Sequence, residues 1–386
     1  MKCLLLLCLL CGSLVACTDI AGFDLQCRNP AHLLVQRPDP KKADSHPPLC
    51  FGSYCTHTAH YYRDIHSLSI ISTSQAFRNV VKARKHAVQT PQVARQNRYD
   101  IRAIPSKGKG VLATQRIAKG DVIMLDSPAI IASAQVPAHV TPSEGFQLFQ
   151  TAVQRLDPAT QAGVLALDGH GSTGVDGIME TNAFSCRFDD GGTGDDYLCL
   201  YPDVSRINHA CRPNAHAKFS PRTLLMEIRA LRDILPGEEI SISYGKVDMK
   251  YAERQDLYRK NWGFGCTCEL CAAGEKAVAE SDQRKQRFAE LHERLTSLTA
   301  ETFDAQRVIG WENEVFAISD REGLEALVAE DLERMAYVYA ALGDRAEAVM
   351  WAQKARDNMV RWKVATGVDS DDVKRIEEVL LELDAA

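Results

Sequence analysis

From residue 99 the chain alternates apolar and polar positions over short stretches, and this alternation predicts strands joined by tight turns. Tyr99-Asp100-Ile101-Arg102-Ala103-Ile104 reads as a strand, Pro105-Ser106-Lys107-Gly108-Lys109-Gly110 as a loop, and Val111 to Thr114 as a resumed strand. Ile117 to Asp121 turns into a further strand, Val122-Ile123-Met124-Leu125. Residues 141 to 181 carry a helical and then glycine-rich pattern. Strands are predicted over Leu224 to Ile234 and Glu239 to Tyr244, joined by the Leu235-Pro236-Gly237 turn. Residues 249 to 261 read as a helix, and after Cys271 the pattern is helical to the end.

Before residue 99 the periodicity is weak. Met1-Lys2 precedes an apolar run from Cys3 to Ala16 that ends in small residues, the pattern of a secretory signal peptide over residues 1–17. The run is too short to favour a spanning helix. A buried helix or a misplaced start codon is the plainer alternative, and Leu14-Val15-Ala16-Cys17 also fits a bacterial lipoprotein cleavage box. Thr18 to Pro48 is polar and proline-rich, as expected of a linker or arm. Residues 67 to 98 mix Ser with Ile and then turn basic at Arg78, Lys82, Arg84, Lys85, Arg95 and Arg98. With Phe77 its single aromatic, this stretch reads as a solvated helix face rather than a nucleic-acid surface, and residues 18–98 as an amino-terminal extension. No later segment is predicted to span a membrane.

Composition changes this picture little. The 386 residues have room for two or three domains, and 45% hydrophobic with 25% charged residues is ordinary for a globular protein. A net charge of -6 argues against a mainly electrostatic nucleic-acid binder. The 13 cysteines are informative by position. Cys27, Cys50 and Cys55 could include one disulfide in an exported chain, leaving one cysteine over. Cys266-x-Cys268-x-x-Cys271 offers three thiolates from one short loop, as zinc sites do, whereas tetrahedral zinc takes four ligands; a disulfide role is the alternative.

Three stretches carry candidate chemistry. Arg206-Ile207-Asn208-His209-Ala210-Cys211-Arg212-Pro213-Asn214 concentrates an amide, an imidazole and a thiol before a turn. Gly237-Glu238-Glu239-Ile240-Ser241-Ile242-Ser243-Tyr244 and the Cys266 to Cys271 loop follow. Together these resemble the carboxy-terminal half of a SET domain with its cysteine-rich post-SET segment, a family that transfers methyl groups from S-adenosylmethionine to protein lysines. The Lys107-Gly108-Lys109 loop lies where the amino-terminal half keeps its cofactor loop. The Asn182-Ala183-Phe184 and Leu200-Tyr201-Pro202 strings are similar to those of the SET-and-MYND group, although no metal-type cluster of a MYND module lies between Ile131 and Glu180.

The resemblance implies an α+β architecture: a mostly-β SET fold with a post-SET segment over 99–272, an insertion at about 132–196, and a helical carboxy-terminal domain over 273–386. In that last part Ala336, Tyr339, Leu342-Gly343-Asp344, Ala346, Ala348 and Ala355 are spaced like one tetratricopeptide unit, which must pack on its neighbours to bury its face. It further implies that Asn208, by its amide, and His209, largely by its backbone, hold S-adenosylmethionine, with Lys107, Gly108 and Lys109 contributing backbone contacts and Asn182 one more. Tyr244 is implied as the catalytic tyrosine, Phe264 as the residue that packs on adenine, and Trp262 as part of the channel wall. Cys211 is implied as the fourth zinc ligand beside Cys266, Cys268 and Cys271. Tyr201 and Tyr251 are further aromatic candidates.

The expected activity is protein-lysine N-methylation, with a lysine-bearing protein as partner and no sequence-specific nucleic-acid binding. Its rivals are a catalytically weak SET scaffold that binds partners through its helical tail, and a secreted protein whose cysteines pair instead of holding zinc. The leader implies the secretory pathway, and a non-functional leader would imply nucleus or cytoplasm.

Overall fold

The computed structural model of the chain describes residues 47–60, 67–85, 98–172, 174–188, 196–364 and 370–385. The expected leader and Cys27 lie outside the described residues. In order the chain forms β1 (Leu49–Phe51), β2 (Tyr54–His60), β3 (Ser67–Thr73), α1 (Ser74–Lys85), β4 (Tyr99–Ile104), β5 (Gly108–Ala113), β6 (Val122–Asp126) and β7 (Ile130–Ser133). Four helices follow, α2 (Val136–His139), α3 (Pro142–Gln154), α4 (Pro158–Leu165) and α5 (Val175–Asn182). Strands resume with β8 (Phe184–Arg187), β9 (Asp196–Leu200), β10 (Asn208–His209), β11 (Ala215–Phe219), β12 (Met226–Ala230) and β13 (Glu239–Ile242). Beyond them lie α6 (Tyr251–Trp262), α7 (Glu269–Ala272), α8 (Glu275–Thr296), α9 (Ala305–Glu322), α10 (Ala329–Ala341), α11 (Arg345–Asn358) and α12 (Asp371–Ala385).

The strands make three sheets, a six-stranded one ordered β1-β2-β3-β7-β9-β8, a four-stranded one ordered β10-β13-β5-β4 and a three-stranded one ordered β11-β12-β6. One core joins them. Ile70 of β3, Val111 of β5, Ile131 of β7, Cys199 of β9, Ile228 of β12 and Ile240 of β13 all pack in it, each withdrawn from water. Burying an isoleucine this fully is worth about 1.5–3 kcal/mol. The opposite face of the six-stranded sheet is covered by α3, α4 and α5, where Ile71, Ile130 and Leu200 meet Leu148, Ala152, Val164 and Ile178.

Strands β1, β2 and β3 depart from the expected polar extension, because they make up half of the six-stranded sheet. Thr56, Thr58, Ser67, Ser69 and Ser72 of β2 and β3 are buried rather than solvated. Thr56 Oγ1 donates to the Leu148 carbonyl at 3.0 Å and Ser69 Oγ to the Ala152 carbonyl at 2.7 Å, so hydroxyls of β2 and β3 bond the backbone of α3 inside the core. Buried polar groups with such partners cost little. Cys50 and Cys55 face each other across the β1–β2 hairpin and are bonded to each other.

Helices start where cap residues allow. Thr141 and Glu144 form a reciprocal capping box ahead of Pro142 at the start of α3. Asp157 caps α4 through the Ala159 and Thr160 N–H groups. In the helical carboxy-terminal part α10 and α11 form a hairpin that turns at Gly343, whose φ of 75° suits glycine. A π-helical turn, Met359–Lys363, follows α11. There Trp362 is buried against Leu231 and Ala326, and Lys218 of β11 donates to the Val364 carbonyl. Lys119 pairs with Glu325 at 2.7 Å, so the helices dock on the strands at several points. No helix among the described residues is long and apolar enough to cross a membrane.

Candidate active site and cysteine cluster

The site forms where β10 lies parallel to β13, with Asn208 opposite Ser241 and His209 opposite Ile242. The Ala210 N–H extends this pairing to the Ile242 carbonyl at 2.9 Å. Asn214 secures the far side of the loop: its amide donates to the Glu239 carbonyl at 2.8 Å and its Oδ1 accepts from the Ser241 N–H at 2.8 Å. The sharp Pro213-Asn214 turn therefore threads the Asn208 to Cys211 segment beside the end of β13.

Glu239 organises the cradle side. Asn208 Nδ2 donates to its Oε1 at 2.9 Å, and Lys107 Nζ reaches Oε2 at 2.6 Å. Gly110 makes room for this arrangement, since a Cβ there would come within 2.3 Å of Ile104 Cδ1 and 2.7 Å of Asn208 Nδ2. Gly108, the first residue of β5, has φ of 70°, a left-handed conformation open to glycine. Lys107, Gly108, Lys109 and Asn208 are thus brought to one end of the four-stranded sheet.

Tyr244 lies two residues beyond β13 and not within a strand as expected. Its hydroxyl donates to the Ile207 carbonyl at 2.7 Å, and its N–H donates to His209 Nδ1 at 3.0 Å. Burial, followed by the Glu239 charge, raises its pKa above the ordinary phenol value. The hydroxyl is therefore neutral. Trp262 packs on the Tyr244 ring with centroids 5.1 Å apart. Phe264 stacks on Tyr258 at 5.4 Å, and Tyr258 in turn packs on His209 at 4.2 Å.

The four thiols Cys211, Cys266, Cys268 and Cys271 lie within 4.8 Å of one another. A tetrahedral zinc with bonds of about 2.3 Å needs sulfurs separated by about 3.8 Å. Cys211 Sγ is 3.9 Å from Cys266 Sγ and 3.6 Å from Cys271 Sγ, so the donor set fits that metal in chemistry and size. In this structure Cys211, Cys266, Cys268 and Cys271 are free thiols. Hydrogen bonds from Cys266, Cys268 and Cys271 hold the Cys211 thiol far below its usual range. Gln255 of α6 brackets the loop, accepting from the Cys266 N–H at 2.8 Å and donating to the Cys266 carbonyl at 2.9 Å.

Asn182 and Tyr201 sit differently. Asn182 ends α5 and spends its amide hydrogens on the Asp168 and Ile178 carbonyls at 2.6 and 2.8 Å. It adjoins the site through the backbone: its own carbonyl accepts from Ser205 Oγ at 3.1 Å, and the neighbouring Thr181 carbonyl accepts from Trp262 Nε1 at 2.7 Å. Tyr201 is fully buried and donates to the Leu224 carbonyl at 2.9 Å, which makes it a core residue. Tyr251 stands exposed at the start of α6. Glu239, Asn214, Gln255 and Tyr258 were not among the expected site residues. Glu239 and Asn214 stand inside the two motifs, and that position was their signal.

Residues 108–245 match the SET domain, so the chain carries one. It is similar to histone-lysine N-methyltransferase set5 of Schizosaccharomyces pombe, 27% identical over 194 residues that make up 50% of this chain and 56% of that protein. It is similar also to N-lysine methyltransferase SMYD2-B of Danio rerio, 35% identical over 23% of this chain and 20% of the relative. For N-lysine methyltransferase SMYD2 of Homo sapiens the figures are 36% identity, 22% and 19%. The matched stretch thus spans little more than half of the first relative and about a fifth of the others.

Proposed function

We propose that the protein is an S-adenosylmethionine-dependent protein-lysine N-methyltransferase, with a SET and post-SET unit over 99–272 and a helical unit over 273–386. The observation that carries this reading is the place of Tyr244, whose neutral hydroxyl meets the Ile207 carbonyl at the mouth of the threaded Asn208 to Cys211 loop. When bound, S-adenosylmethionine supplies a methyl group activated by its sulfonium. Asn208 and the Lys107 to Lys109 turn hold that cofactor, His209 supports it through its backbone and Phe264 packs on its adenine. Asn182 contributes its free Oδ1.

The acceptor lysine must present an unprotonated nitrogen in line with the methyl group, about 3 Å away, which is a matter of positioning more than of acid-base work. The Tyr244 oxygen and the Ile207 carbonyl supply two oxygen atoms that suit polarised C–H groups, a weak but directional attraction. Trp262 and Tyr244 line the passage. Cys211, Cys266, Cys268 and Cys271 hold one structural zinc, which ties the cofactor loop to the segment that carries Phe264.

The test is to incubate the purified chain with labelled S-adenosylmethionine and protein extract, then to locate the label by mass spectrometry. Label on lysine side chains is expected. Tight cofactor binding with no transfer to any protein would instead favour the rival reading, a SET scaffold that binds partners without turnover.

A further inference from the structure

Glu322 is the last residue of α9, where Gly323 turns into the left-handed region at φ of 70° and ends the helix. A carboxylate in that place is doubly disfavoured: it faces the negative end of the helix dipole and is fully buried. Four groups compensate. Ser281 Oγ and Arg284 Nε of α8 each donate at 2.7 Å, Arg212 of the cofactor loop donates at 3.1 Å, and Lys285 Nζ lies 4.0 Å away. Ser281, Arg284 and Lys285 project from one face of α8, as the i, i+3, i+4 spacing allows.

Two of these groups lead back to the site. Arg212 follows Cys211 directly, and its bond to Glu322 joins residues 110 positions apart in sequence. Lys285, itself buried, donates to the Cys211 carbonyl at 2.8 Å. The flanks of the loop are held by strand partners, the Ala210 N–H on Ile242 and the Asn214 carbonyl on Leu231. Between them the Cys211 N–H and sulfur face the cysteine cluster, while the Cys211 carbonyl and the Arg212 side chain are held by side chains of the helical unit.

We infer that Glu322 is a positioning residue for the cofactor loop: through Arg212 and Lys285 it fixes the segment that follows Asn208 and His209, and so couples the helical unit to cofactor affinity. This inference rests on the methyltransferase reading above. The plainer role, an ion cluster that only stabilises the docking of the helices, predicts a different outcome in the same experiment.

The experiment is calorimetric titration of the full chain with S-adenosylmethionine, for the parent, Glu322→Gln, Lys285→Met and the double variant, with unfolding midpoint and zinc content read on the same samples. Glu322→Gln is expected to weaken affinity at least fivefold and to lower the midpoint, because the buried Lys285 ammonium loses its counter-charge. At saturating cofactor its kcat should stay within twofold of the parent, so that the loss appears in KM. The double variant removes a buried carboxylate and a buried ammonium together and should regain most of the midpoint. Its affinity should stay weak, because the Cys211 carbonyl still lacks its donor. Should Glu322→Gln not fold, Lys285→Met alone carries the test, since it deletes only that donor and is expected to lose at least fivefold in affinity. Parental affinity in Glu322→Gln, or affinity that returns with the midpoint in the double variant, overturns the inference alone. No cofactor binding by the parent overturns the methyltransferase reading and takes this inference with it.

Discussion

The imidazole of His209 bridges the Tyr244 backbone and the Cys211 sulfur: Nδ1 accepts the Tyr244 N–H at 3.0 Å, and Nε2 lies 3.3 Å from Cys211 Sγ. Because Nδ1 accepts, the ring hydrogen sits on Nε2 and points at the sulfur. A single ring thus links the Tyr244 backbone to the cysteine cluster and sets the register between them.

That register makes Tyr244 testable with the fold intact. Tyr244→Phe keeps the ring contacts with Trp262 and His209 and the backbone bond to Nδ1, and removes only the hydroxyl bonded to Ile207. Turnover is expected to fall at least tenfold, about 1.4 kcal/mol of barrier, with cofactor affinity unchanged. Steady-state kinetics beside a binding titration decides it, and undiminished turnover would remove Tyr244 from the mechanism.

How much of this could be read from the chain differs by region. Strands β7 to β11 were not predicted, but β4, β5, β6, β12 and β13 and the helices of the carboxy-terminal half announced themselves through periodicity, and Cys211 joined the Cys266 to Cys271 set because the motif resemblance named it. Strands β2 and β3 did not, since Thr56, Thr58, Ser67, Ser69 and Ser72 look solvent-facing by composition while all are buried. Thr56, Ser67 and Ser69 find partners in the backbone of α3 and the Asp157 carboxylate, groups that lie 83 to 92 positions away. Local pattern cannot report a polar side chain satisfied at that separation. Glu322 and Lys285 were hidden for the same reason, being ordinary charged residues of amphipathic helices until the loop is laid beside them.

Gly110 separates room for the cradle from mere turn formation. Gly110→Ala would place a Cβ within 2.7 Å of Asn208 Nδ2 and 3.2 Å of Glu239 Oε1, so that the amide must shift. Overpacking of this kind costs about 1–3 kcal/mol. The variant is expected to bind S-adenosylmethionine at least tenfold more weakly, and Asn208→Ala likewise. If calorimetry finds both at parental affinity, the cradle has been assigned to the wrong residues.

Metal removal should act on a defined segment. The four sulfurs crowd within 4.8 Å, and thiolates that close repel one another without a cation between them. Chelation is expected to release one zinc per chain and to speed amide exchange over Trp262 to Cys271 while leaving β2 and β3 protected. Cofactor affinity should drop with it, because Phe264 lies inside that segment. Unchanged exchange there after complete zinc loss would show that Gln255 and the core hold the loop unaided.

The last prediction concerns Asp157, which ties the start of α4 to the start of β3. Its Oδ1 accepts from the Ala159 and Thr160 N–H groups at 3.1 and 3.0 Å, and its Oδ2 from the Ser67 N–H at 3.0 Å and Thr160 Oγ1 at 2.6 Å. Burial pushes the carboxyl upward, but the bonds from Thr160 and Ser67 outweigh it and hold the group well below the usual carboxylate range. A carboxylate depressed in the folded state stabilises fully above its unfolded value of about 3.9, and that contribution is lost as pH falls through the folded one. Asp157→Ala is therefore expected to cost about 1–2 kcal/mol near neutral pH, the range of a lost helix cap. The gap between parent and variant should hold steady down to about pH 5 and narrow below about pH 4. Denaturant titrations at stepped pH measure it directly. A gap that is constant across the acid range would mean that Asp157 acts through packing rather than through its charge.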